Sequence, residues 1–92
     1  MKFEWDEEKA KINLDKHGLS FADVELVFNG PTVTFVDDRR DYRKTRYVTL
    51  GLLEETLIVV YIAHTLRSDI VRLISMRKAN GKERKIFEKR LG

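Results

Sequence analysis

Apolar positions change their period three times along the chain, and each change predicts a different element. Near the N-terminus, Lys2-Phe3-Glu4-Trp5 has the composition of a short strand. It leads into a helix capped by Asp6, with Glu7 and Glu8 in the first turn, where the positive end of the helix dipole favours acids. Gly18, after Lys16-His17, suits the left-handed residue that ends a helix. A second helix opens at Ser20, whose spacing to Asp23 predicts a capping box, and Phe21, Val24, Val27 and Phe28 then share one face at helical spacing. Asn29-Gly30-Pro31 stops it.

From Thr32 onward the pattern is that of strands. Thr32–Val36 is followed by a charged stretch, Asp37–Lys44, which reads as an exposed turn or loop. Arg46–Leu53, Thr56–Thr65 and Ile70–Met76 follow with short connections, so they predict an antiparallel meander, because parallel neighbours need long crossovers. Of these strands, Thr56–Thr65 is apolar without alternation and reads as central, covered on both faces. Asn80 and Glu83 form a second capping box, opening a final helix whose apolar residues are Ile86, Phe87 and Leu91. So short a helix is unstable alone and must dock on the sheet or on a partner chain. The predicted architecture is α+β: two N-terminal helices, a four-stranded antiparallel sheet and a C-terminal helix, in one domain spanning residues 1–92.

Composition narrows the function classes. There is no cysteine, which excludes disulfides and thiolate metal sites. The longest apolar run, Leu57–Ala63, is far short of a membrane span, and Met1–Asp6 lacks the apolar core of a signal peptide, so a soluble cytoplasmic protein is expected. The net charge of +3 is unevenly spread: residues 1–30 carry −3, residues 31–65 are neutral and residues 66–92 carry +6. A cationic end of this kind attracts polyanions and acidic partners.

The chemistry-bearing residues cluster between His64 and Arg84. His64 is the candidate for proton transfer, since imidazole titrates near neutral pH and sits here at a strand end. Arg67, Arg72, Arg77 and Lys78 are candidates for holding phosphate, because the guanidinium fork matches phosphate oxygens, and Ser75 adds a hydroxyl donor. The same residues can equally serve structure, with His64 capping its strand and the arginines paired to Asp69, Glu83 and Glu88. In an unbroken strand Arg72 and Arg77 face opposite ways, so a shared site needs a bulge or a strand that stops before Arg77; the second is the expectation here. His17 reads as structural. Asp37, Asp38 and Asp41 alternate with Arg39, Arg40 and Arg43, whose charge argues against a metal site.

Phe3-Glu4-Trp5-Asp6, Asn13–Gly18, Ser20-Phe21, Val27-Phe28, Arg46 with Gly51, His64-Thr65-Leu66-Arg67, Arg72–Ala79 and Glu83-Arg84 together resemble the BrnT family of bacterial toxins. The resemblance runs over nearly the whole chain in order. It implies a RelE-like fold and a type II toxin that cleaves RNA and blocks translation. It also implies a BrnA-type antitoxin, a DNA-binding dimer that neutralises the toxin in a heterotetramer and supplies any contact with DNA; a monomeric free toxin is a separate expectation. Two departures stand out: Met76 replaces the small residue common between Ser75 and Arg77, and Phe87 replaces a tyrosine, removing a phenol. The mechanism expected is metal-independent attack of the ribose 2′-hydroxyl on the adjacent phosphate. His64 would transfer the proton, Arg72, Arg77 and Lys78 would hold the phosphate, and Arg46, Arg67, Ser75 and Arg84 would bind RNA. The rival expectations are a module that binds nucleic acid without cutting it and a corepressor inside the antitoxin complex.

Overall fold

A computed structural model describes residues 1–91. The first helix, α1 (Glu7–His17), begins where Asp6 accepts hydrogen bonds from the Glu8 and Lys9 amides at 2.8 and 3.3 Å. It ends where Gly18, at φ 71°, donates to the Leu14 carbonyl. The second helix differs from expectation. Ser20 Oγ accepts from Ala22 N rather than closing a reciprocal box with Asp23, and residues Phe21–Asp23 form a single 3₁₀ turn before α2 (Val24–Asn29). The tight turn buries Phe21, Val24 and Val27 together against the sheet.

The sheet has five strands in the order β1 (Lys2–Glu4), β5 (Ile70–Lys78), β4 (Ile58–Arg67), β3 (Arg46–Leu53) and β2 (Thr32–Asp37). The four-stranded antiparallel sheet is therefore corrected to a mixed one, since β1 pairs parallel with β5 through Lys2↔Ile70 and Glu4↔Arg72. Short connections predicted the antiparallel meander of β2–β5 and are silent about strands joined through the whole chain. The α1 and α2 layer covers one face, packing on Val60, Ile62, Val71, Leu73 and Met76. On the other face the C-terminal helix α3 (Gly81–Leu91) brings Phe87 onto Val33, Val48, Leu50, Tyr61 and Ala63. Gly51 lets α2 approach β3, because a Cβ there would lie 2.5 Å from Val27 Cγ1.

One irregularity decides where the basic residues point. Opposite β4, Ala63 pairs with Ser75 and His64 with Leu73, so Ile74 is an extra residue and β5 bulges there. Val71, Leu73 and Met76 consequently face α1, while Arg72, Ile74, Ser75 and Arg77 share the opposite face. The expectation that the strand stops before Arg77 is replaced by the bulge, and β5 continues through Lys78. Buried Asn13 of α1 fixes this segment: it donates to the carbonyls of Met76 and Leu19 and accepts from the Met76 amide. α3 starts with the predicted reciprocal box, Glu83 N to Asn80 Oδ1 at 2.8 Å and Asn80 N to Glu83 Oε1 at 2.9 Å.

Candidate functional site

The start of β3, the end of β4 and the start of β5 meet at one end of the sheet, and the charged stretch before β3 folds against them. A cleft of about 600 Å³ opens there between Lys44, Tyr47, Thr65, Arg67, Arg72 and Glu4. A neighbouring hollow of about 300 Å³ shares Lys44, Thr65 and Arg72 with it and adds Lys9, Tyr42, Arg43, Arg46 and Asp6. Together they make one basic groove, with six cations facing two carboxylates. Arg72 Nη1 donates to Glu4 Oε2 at 2.6 Å, but both side chains are about half exposed, so the pair is weak and a phosphate can displace the carboxylate. The Arg46 guanidinium lies 4.2 Å over the Tyr42 ring, which holds it without neutralising it.

His64 lies behind this groove. It is 1% exposed and points to the helix-covered face, opposite Tyr47 in the register of β3 and β4. Its ring stacks on Tyr47 at 5.9 Å and meets Phe28 edge-on at 5.8 Å. Nε2 is 2.8 Å from Thr49 Oγ1, which in turn lies 2.8 Å from Thr34 Oγ1, while Nδ1 has no hydrogen-bond partner. Burial pushes the imidazole below its ordinary pKa and outweighs the opposite pull of the Thr65 backbone, which lies near Nδ1 without hydrogen-bond geometry. The solvent-reachable imidazole expected from the strand end is therefore replaced by a buried one kept neutral, one aromatic ring away from the cleft that Tyr47 lines.

Arg77 belongs to a different constellation on the face that carries α3. Its guanidinium stacks 3.7 Å over Tyr61 and makes a two-pronged pair with Glu83 at 2.9 and 3.0 Å. Burial raises the Glu83 carboxyl, but the bonds from Arg77 and the Asn80 amide outweigh it and hold the carboxyl below its ordinary value. Beside it, Arg39 clasps Asp37 at 2.8 and 3.0 Å and donates to the Tyr61 hydroxyl at 3.2 Å. Tyr42 also donates to Asp37, at 3.2 Å. The Arg39 hydrogen bond holds the Asp37 carboxyl down at about 2, and burial pushes the Tyr61 phenol up.

The structure thus brings Arg46, Arg67 and Arg72 to one groove, with His64 behind its wall. Ser75 and Arg77 lie farther along the same sheet face as Arg72, Arg77 some 15 Å away at about 3.3 Å per strand residue. Lys78 is exposed at the strand end and Arg84 is exposed on α3. The pairing of Arg77 with Glu83 is the structural alternative weighed from sequence, whereas Arg72 takes Glu4 instead of Asp69 or Glu88. Sequence reasoning missed Lys44 and Tyr47. The signal was Arg43-Lys44-Thr45-Arg46-Tyr47, three cations within four residues passing into a strand aromatic directly opposite His64. Among the described residues, no three His, Asp or Glu side chains gather as metal ligands would. No helix there is long and apolar enough to cross a membrane.

A family model described as the ribonuclease toxin BrnT of a type II toxin–antitoxin system matches residues 5–83. Among solved structures, the 1.1 Å crystal structure of the Brucella abortus ribonuclease toxin BrnT is similar, with a TM-score of 0.63 and 31% sequence identity over 87% of this chain and 97% of that one. No curated protein matches significantly.

Proposed function

The chain belongs to the BrnT family of ribonuclease toxins of type II toxin–antitoxin systems, and from that membership we propose that it is a metal-independent endoribonuclease that cuts RNA at the basic groove. Cutting RNA would inhibit translation, with a BrnA-type, DNA-binding antitoxin neutralising the toxin in a heterotetramer. The observation that supports this site is the cleft in which Lys44, Arg67 and Arg72 surround Thr65 and Tyr47.

In this reading Arg67 and Arg72 grip the scissile phosphate, Arg72 exchanging its Glu4 partner for phosphate oxygens, and Arg46 and Lys44 hold the neighbouring backbone. The 2′-hydroxyl gives its proton to solvent and attacks the phosphorus, and the 5′-oxygen leaves with a proton taken from solvent, giving a 2′,3′-cyclic phosphate. The guanidiniums stabilise the charge gathering on the phosphorane. Tyr47 presents a ring on which a base can stack and a hydroxyl at the cleft. His64 is a positioning residue, fixing Tyr47 through the stack while Thr49 fixes the imidazole. Ser75, Arg77, Lys78 and Arg84 lie beyond the reacting phosphate, where the exposed Lys78 and Arg84 contact flanking RNA and Arg77 mainly ties α3 to the sheet.

Incubation of the purified protein with RNA, with and without EDTA, tests the assignment. Fragments ending in cyclic phosphate are expected in both samples. Intact RNA that stays bound would make the protein a binding module, and cleavage abolished by EDTA would require a metal. His64→Gln is expected to lower cleavage while leaving the pH dependence of the remaining activity unchanged near neutrality. A lost limb near pH 6.5 would make the imidazole a proton-transfer group instead.

A further inference from the structure

The two edges of the sheet are finished in opposite ways. At one edge, β1 is three residues long and carries Lys2 and Glu4, which suits an edge closed to further strands. At the other, β2 is six residues long, regular, and without an internal charge or proline, and Val36 on it is 53% exposed. Its outer side has no strand partner among the described residues. A regular, β-branched edge left bare is a template for another strand.

α3 lies along this edge and leaves its own apolar surface unfinished. Phe87 is buried on the sheet, but Ile86 is 36% exposed and Leu91 46%. Phe35, Ile86, Lys89 and Arg90 line a groove of about 390 Å³ between α3 and β2, and Lys82 extends the same flank of the helix. The carboxylates nearby are mostly engaged: Glu83 holds Arg77 and the helix cap, and Asp37 holds Arg39, leaving Asp38 at one end. The groove has an apolar floor, a cationic wall and an open backbone edge.

We infer that the outer edge of β2, with the facing flank of α3, is the surface on which the antitoxin docks. The docking element is an extended acidic segment that adds as a strand to β2. Its apolar side chains fill the Phe35–Ile86 floor and its carboxylates meet Lys82, Lys89 and Arg90. A peptide is favoured over RNA because an unpaired strand edge offers amides and carbonyls in peptide register, which bases and phosphates do not match. This inference rests on the proposed reading of the chain as a toxin with a protein antitoxin. It leaves the RNA groove at the end of the sheet as a separate surface.

The probe is the purified antitoxin encoded with this protein, titrated against the full chain and three variants: Val36→Lys, Ile86→Glu and the pair Lys82→Glu with Lys89→Glu. Each is expected to weaken antitoxin binding by about tenfold or more while RNA cleavage by the free protein stays unchanged. Hydrogen exchange on the wild-type complex is expected to slow at the amides of residues 33–36, which decides the matter even where a variant loses stability. Unchanged antitoxin affinity together with unprotected β2 amides overturns the inference, as does weakened RNA binding with antitoxin binding intact. If the wild-type chain cleaves RNA but does not bind this antitoxin, the docking surface falls and the nuclease reading stands. Failure to cleave RNA removes the nuclease reading, and protection of β2 in the complex would still uphold the docking surface.

Discussion

The basic groove and the Tyr61 cluster are built from the same residue types and have opposite character. In the groove, Lys44, Arg46 and Arg67 have no acid within salt-bridge reach among the described residues, and Arg72 holds an acid only at an exposed, exchangeable contact. In the cluster, Arg77 and Arg39 are each clamped by two prongs to a carboxylate and share one phenol between them. A guanidinium already bound on its fork has little left to offer a phosphate. The count of arginines therefore says less about a binding site than the fraction of them left unpaired.

The largest effect that would break this comparison is catalytic. Replacing Arg67 and Arg72 together by alanine is expected to lower RNA cleavage roughly 10²- to 10³-fold, the scale for removing a transition-state donor. Both side chains are exposed, so the unfolding midpoint is expected to hold. Single-turnover cleavage and urea denaturation on the same preparation check both halves, and retained cleavage would move the reaction centre out of the groove.

Next in size is the converse change in the cluster. Glu83→Ala removes the reciprocal cap of α3 and strands a partly buried Arg77, which is expected to cost on the order of 2 kcal/mol of stability. Cleavage measured well below the new unfolding midpoint is expected to change little. Cleavage lost in step with the Arg67 and Arg72 variant would place the cluster inside the reaction centre.

What could be read from the chain follows the same division. Caps and turns are local, so Asp6, Gly18 and the Asn80–Glu83 box marked helix ends that the structure reproduces. The meander of β2–β5 followed from short connections, whereas the parallel pairing of β1 with β5 joins the two ends of the chain and leaves no local sign. The bulge at Ile74 was recognised only as one of two options. Its cause is the register between β4 and β5, fixed in part by Asn13 reaching from α1 to the Met76 backbone. That one extra residue puts Arg72 and Arg77 on a common face and leaves His64 on the other. A strand-end position made His64 look accessible, but accessibility depends on Phe28 and Tyr47, which arrive from distant segments.

The smallest predicted effect separates the two regions by pH. His64, behind the groove, is held below its ordinary value by burial, so the unfolded chain binds its proton more readily than the folded one. Its stabilisation is therefore complete above the unfolded value of about 6.5 and is lost as pH falls below that, toward the folded value. Asp37 in the cluster has the depressed value of an acid clasped by Arg39, about 2 against an ordinary 3.8. Its contribution is complete above pH 3.8 and is lost as pH falls toward 2. Urea midpoints followed from pH 8 to pH 2 should fall in two windows, and each variant should flatten one. His64→Gln should remove the slope that sets in below about pH 6.5, with the acid slope intact, because the Asp37 carboxyl stays ionised until the pH falls below 3.8. Asp37→Asn should weaken the slope below pH 4 and leave the upper one alone. If His64→Gln keeps the upper slope, the imidazole is not held neutral behind Tyr47, and its role in the groove must be reassigned from support to contact.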